Sequence, residues 1–125
     1  MKKILPDMAD RKYDLSFLKR ISSDDEVFIV DMLETFRNTA PDIIQKMQLF
    51  LDQKRYEALG REAHRFIPGV SFLGVKDLEK DLVNIEEAAK NLQNLETLPL
   101  LFERVKKAVD ELIRSFIEDF NLKSS

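Results

Sequence analysis

The sequence predicts an all-α fold, an antiparallel four-helix bundle with a short additional N-terminal helix. Three observations carry that expectation. Apolar residues recur at spacings of three and four along most of the chain, and no segment alternates with period two for long enough to make a strand. Only three glycines and four prolines stand among 125 residues, few for the tight turns of a β fold. The helical segments each show one apolar face and are joined by short connections, which pack most simply as an antiparallel bundle.

Composition bounds the possibilities. With 44% hydrophobic and 34% charged residues, the chain reads as one folded domain. At this length it buries roughly two-thirds of the surface of its unfolded form. A net charge of −3 argues against a general nucleic-acid binder, which would carry a basic excess. The absence of cysteine removes disulfides and thiolate metal sites. The opening MKKILPDMAD has only a two-residue apolar run before Pro6 and Asp7, too short for a signal peptide. No stretch approaches the length of a membrane span. The expectation is a cytoplasmic monomer with neither a nucleic-acid nor a membrane partner.

Residues 1–12 show no sustained period and read as an arm, residues 13–121 as a single bundle, and residues 122–125 as a tail. Asp14 is placed to cap a short helix reaching about Ile21, with Leu15, Leu18 and Ile21 on one side. Ser22 and Ser23 break it. Ser23-Asp24-Asp25-Glu26 then matches a capping box, in which the serine oxygen takes the Glu26 amide and the glutamate reaches back. The helix it opens runs to about Asn38 and buries Phe28 or Ile29 together with Met32, Leu33 and Phe36. Thr39-Ala40-Pro41-Asp42 reads as a fresh start, with a threonine cap and proline in the first turn. The helix after it continues to about Gln53, with Ile43, Ile44, Met47, Phe50 and Leu51 inward. One long helix bent at Pro41 is the alternative. A very short link leads to a helix over 55–73, ended by Gly74. The next helix spans 76–91 and buries Leu78, Leu82, Ile85 and Ala89, with Leu92 at the margin of that stripe. After a turn over 94–97, the last helix runs from about Leu98 to Phe120 on a stripe of Phe102, Val105, Val109, Leu112 and Phe116.

The 55–73 segment holds the chain's only histidine. Leu59, Ala63, Phe66, Val70 and Leu73 form its core-facing stripe. His64 lies about 100° around the helix from Ala63, in a flanking row with Gly60, Ile67 and Ser71. The imidazole is therefore expected on the shoulder of the helix, near solvent, with no side chain at Gly60 to cover it. Arg61 and Arg65 stand beside it, and Glu62 is expected to project from another part of the surface. A neutral imidazole offers a nucleophilic nitrogen near neutral pH. Guanidinium groups hold a phosphoryl group through charge-assisted hydrogen bonds. The row suits an acceptor for an anionic group arriving from outside, and a surface histidine with no task is the plain alternative.

Other chemistries find no support. A di-iron bundle needs Glu-x-x-His pairs on two helices, whereas Arg61 stands three residues before a histidine that has no second copy. There is no glycine-rich loop and no P-loop lysine pattern, hence no nucleotide site, no cofactor and no enzyme in its own right. Ser71 lies about two turns from His64 on the same row, but no acid is evident to orient the base, so a triad is not expected. If His64 does chemistry, a partner supplies the phosphoryl group.

Glu62-Ala63-His64, followed by Arg-Phe-Ile-Pro-Gly-Val-Ser-Phe-Leu-Gly, resembles the signature of the histidine-containing phosphotransfer (HPt) domains of multistep two-component phosphorelays. That signature is Ala-His-x-[Leu/Met]-Lys-[Gly/Pro], then small residues, an apolar pair and a glycine. Ala63, His64, Phe66, Pro68, Gly69, Phe72, Leu73 and Gly74 fall in register with it. Tyr13-Asp14-Leu15-Ser16-Phe17-Leu18 is similar to the family's usual entry, and Tyr56-Glu57-Ala58-Leu59 to its approach to the histidine helix. The likeness covers about residues 13–118. It implies an HPt-like bundle that carries a phosphoryl group on His64, through Nε2, from the aspartyl phosphate of a response-regulator receiver domain to another receiver. A hybrid histidine kinase is a further implied partner. The receiver's acidic pocket would supply Mg²⁺ and the reaction geometry. Gly60, Ile67, Pro68, Gly69 and Ser71 would form the docking face.

One position departs from the pattern. Three residues after the histidine the family usually carries lysine, and here it is Ile67. Arg61 and Arg65 are the candidates to supply the missing charge, Arg61 ahead because it shares a helix face with His64. Pro68 also removes the amide that would bond the His64 carbonyl. Two rival readings follow from the same residues: a degenerate module that docks receivers without turnover, and the dimerisation and phosphoacceptor part of a histidine kinase.

Overall fold

The structure, a computed structural model, describes residues 13–122; the arm expected over 1–12 lies outside the described residues. Five α-helices follow one another: α1 (Ser16–Ser22), α2 (Glu26–Asp52), α3 (Tyr56–Phe72), α4 (Lys76–Asn91) and α5 (Leu98–Phe120), with a 3₁₀ turn at Leu95–Thr97. There is no strand among the described residues.

The two helices expected on either side of Pro41 are one helix of 27 residues. Proline at 41 removes a hydrogen bond to the Arg37 carbonyl and costs about 3 kcal/mol in a helix interior. Against that, Ala40, Ile44 and Met47 carry the buried stripe of Ile29, Leu33 and Phe36 straight through the proline. Full burial of a large apolar side chain contributes about 1.5–3 kcal/mol each, so the continuous stripe prevails. Thr39 does not cap: its hydroxyl donates to the Thr35 carbonyl at 2.8 Å, inside the helix.

The capping box at Ser23 is also corrected. Ser23 sits in the left-handed region, φ 54°, and closes α1. The cap of α2 is Asp25, whose Oδ1 accepts the Val27 and Phe28 amides at 3.0 and 3.3 Å. Asp14 acts one residue earlier than a cap, since Leu15 occupies that position. Its Oδ1 accepts the Ser16 hydroxyl at 2.6 Å and the Ser16 amide at 2.9 Å. These bonds, the hydroxyl first, hold the Asp14 carboxyl below its ordinary range.

The four long helices close a cycle: α2 packs on α3, α3 on α4, α4 on α5, and α5 back on α2. Phe36 of α2 joins the layers, stacked on Phe66 at 5.9 Å and edge-on to Phe116 at 6.0 Å. Of the alternatives at the start of α2, Ile29 is buried and Phe28 exposed. α1 covers one end of the bundle. Leu15 and Leu18 are buried there, Phe17 stacks on Phe72 at 5.4 Å, and the Asp14 amide donates to the Leu73 carbonyl at 2.9 Å. Gly74 makes that approach possible: its φ is +65°, and a Cβ on it would lie 2.8 Å from the Asp14 Cβ. Ile21 and Leu92, placed on apolar stripes by periodicity, are exposed because each lies at the end of its helix. Of the tail expected over 122–125, Leu122 is buried and its amide donates to the Ile117 carbonyl, while residues 123–125 lie outside the described residues.

Candidate functional site

α3 owes its orientation to Leu59, Ala63, Phe66 and Val70, all buried against the core. One residue on from Ala63, the His64 side chain is 72% exposed. α3 and α4 run side by side with small residues at the contact. Gly60 is buried beneath α4, where an added Cβ would meet the Ala89 Cβ at 3.5 Å and the Glu86 carbonyl at 3.7 Å. That close approach brings the α4 side chains within reach of the histidine row.

Two acids on α4 meet two members of that row. The Glu86 carboxylate accepts a hydrogen bond from His64 Nδ1 at 2.8 Å, and the Glu79 carboxylate accepts one from the Ser71 hydroxyl at 2.7 Å. Both pairs are seven residues apart along their own helix, which is two turns. A carboxylate offers only acceptor oxygens, so the proton sits on Nδ1 and the lone pair on Nε2. The imidazole is thus held in one tautomer and one orientation, with its basic nitrogen free. The expectation that no acid orients the base is corrected by Glu86. Ser71 has its own acid and is engaged with Glu79 rather than with the histidine.

His64 opens onto a concavity of about 700 Å³ between α3 and α4, floored by Gly60 and Ala89. Arg61 and Arg65 line it from α3 and Lys90 lines it from α4. Arg61 reaches the exposed Glu57 at 3.3 Å. Arg65 reaches Glu62 at 3.1 Å, and the Glu62 side chain is only 8% exposed. Glu62 therefore turns inward instead of projecting from the surface, and its partner is tied down by it. Among the described residues no ion pair involves Lys90. A chain of net charge −3 thus gathers three cations around its one imidazole, against the two carboxylates of Glu57 and Glu86.

The remaining positions of the row are scattered. Ile67 is half-buried and packs against the core. Pro68 and Gly69 are exposed, and an added Cβ at Gly69 would meet nothing within 4 Å. Gly60 contributes a floor and not an accessible face. Reading the sequence missed Glu86 and Lys90. Their only signal is local: both flank the α4 stripe of Leu82, Ile85 and Ala89 at helical spacing. That they face His64 depends on which helix packs on which.

A family model described as Hpt domain matches residues 31–115, well over half of the chain and inclusive of the whole site. No curated protein and no solved structure matches the chain.

Proposed function

The chain belongs to the Hpt domain family, whose members carry phosphoryl groups in phosphorelays and are not enzymes, and on that premise we propose that His64 is the phosphoacceptor. The observation that carries this reading is the His64–Glu86 pair: an exposed imidazole with Nδ1–H donated at 2.8 Å and Nε2 left free. In the proposed transfer, Nε2 attacks the phosphorus of an aspartyl phosphate on a receiver domain. The N–P bond forms as the acyl P–O bond breaks, and the freed carboxylate stays with the receiver. The Nδ1 proton remains between the ring and Glu86, which balances the positive charge that develops on the phosphorylated ring. Arg61, Arg65 and Lys90 supply positive charge to a phosphoryl group carrying close to two negative charges. A second receiver takes the group by the reverse step.

The reading as a docking module without turnover is favoured by one observation, Ile67 in the place of the usual lysine. Incubation with phosphorylated receiver domains of the same organism decides between them. Wild-type chain is expected to take up acid-labile label, and His64→Gln to take up none. His64→Gln is expected to keep its folding stability within about 0.5 kcal/mol, the usual range for an exposed position. Absence of label on the wild type sinks the carrier reading, and large destabilisation by His64→Gln marks a structural histidine.

A further inference from the structure

We propose that Leu92 is an apolar anchor for the phosphoryl-donating receiver domain, held at the rim of the His64 concavity by a strained backbone; this rests on the carrier reading given above. α4 ends at Asn91, and Leu92 follows with φ 54° and ψ 42°, in the left-handed region. Its amide and that of Gln93 both bond the Ala88 carbonyl, the usual closure of a helix whose terminal residue is glycine or asparagine. Leucine is disfavoured there, because its Cβ crowds the following carbonyl. The other non-glycine residues at positive φ among the described residues are Ser23, Asp24, Lys54, Asn94 and Asn121, all polar.

Burial within the chain does not account for the leucine, which is 63% exposed. What distinguishes its position is the neighbourhood. Leu92 lines the same concavity as His64, across a floor of Gly60 and Ala89. It lies six residues beyond Glu86, just past the end of α4. Strained residues persist where they serve a site, and a solvated leucine becomes useful when a partner desolvates it. The occupant must also match the charge. Three cations border the concavity against two carboxylates, Glu57 and Glu86, so its rim carries a positive excess on a chain that is negative as a whole, which fits an acidic pocket bearing an aspartyl phosphate.

The test uses the full chain with Leu92→Gly and Leu92→Asn, both of which tolerate the left-handed backbone. Phosphoramidate, a small donor that needs no docking, reports on His64 itself; receivers phosphorylated with acetyl phosphate report on docking. Both variants are expected to melt at or above the wild-type temperature and to label with phosphoramidate at the wild-type rate. With phosphorylated receiver, kcat/KM is expected to fall at least tenfold, carried by KM. Wild-type transfer by either variant overturns the proposal, as does a lowered melting temperature in Leu92→Gly. Equal loss of phosphoramidate labelling also overturns it, since Leu92 would then support His64 and not a partner. A change from dimer to monomer with transfer unchanged assigns the leucine to a second copy of this chain, and the proposal falls. If the wild type itself takes label from phosphoramidate but from no receiver, the carrier reading fails first and separately.

Discussion

Glu86 gives His64 a chemical asymmetry that an exposed imidazole lacks by itself. A free ring exchanges tautomers and rotates; one anchored through Nδ1 keeps Nε2 basic and aimed outward. Glu86 acts as a positioning residue, and its substitution separates orientation from charge. Glu86→Ala is expected to slow labelling of His64 by about tenfold, as loss of an orienting partner does elsewhere. Glu86→Gln keeps a carbonyl acceptor without the charge and is expected to recover only the part of the rate that orientation supplies. Equal loss in both would show that the carboxylate charge, and not the hydrogen bond, is what matters. The cations can be ranked in the same way. Arg65 is engaged by the buried Glu62, Arg61 by an exposed acid, and Lys90 forms no ion pair among the described residues. Measured on the isolated phosphoprotein, Lys90→Ala and Arg61→Ala are each expected to shorten the phosphohistidine lifetime more than Arg65→Ala. Ile67→Lys is expected to lengthen it, its aliphatic stem lying along the core while the ammonium group reaches solvent. Silence in all four variants would mean that local charge does not set the lifetime.

At the scale of the elements, the helices tolerate local penalties wherever a buried stripe runs past them. Pro41 is exposed and sits in the middle of α2, so its ring makes none of the core contacts that hold the helix. Pro41→Ala is expected to restore the bond to the Arg37 carbonyl and to raise the unfolding free energy by about 1–3 kcal/mol, read from denaturant midpoints. An unchanged or lower midpoint would show that the proline shapes α2 to its neighbours. Gly74 is the opposite case. It joins α3 to α4 and lets the chain pass against Asp14, so Gly74→Ala adds a left-handed alanine and a collision with backbone. A loss of about 2–3 kcal/mol is expected, and a neutral result in the same titration would contradict the packing of α1 on the bundle.

For the whole molecule, the cycle of α2, α3, α4 and α5 leaves the site on the outside of one helix pair, away from the core of Phe36, Phe66, Phe102 and Phe116. The proposed carrier role needs this arrangement, because a partner must reach the His64 nitrogen from outside. Among the described residues no helix is long and apolar enough to cross a membrane. Each long helix packs on two neighbours of its own bundle. Sedimentation at micromolar concentration is expected to return the mass of one chain. A stable dimer would reopen the kinase-fragment reading, which family membership otherwise sets aside.

Much of the molecule was legible from residue spacing alone. Amphipathic periods gave the helical class, Ala63 and Phe66 fixed which side of α3 faces inward, and His64 followed onto the shoulder by helical geometry. The Ala-His-x-Phe-x-Pro-Gly run then pointed to the family. Three things were decided only by the tertiary structure. Pro41 and Thr39 carry a helix-start signal, yet burial of Ala40, Ile44 and Met47 against α3 and α5 overrides it. Glu62 reads as a surface acid until α3 is packed into the bundle. Glu86 and Lys90 stand 22 and 26 residues beyond His64 in the sequence and carry no mark that they belong to it. Local spacing specifies which residues share one helix face; only the packing of α3 on α4, close at Gly60 and Ala89, specifies which faces meet.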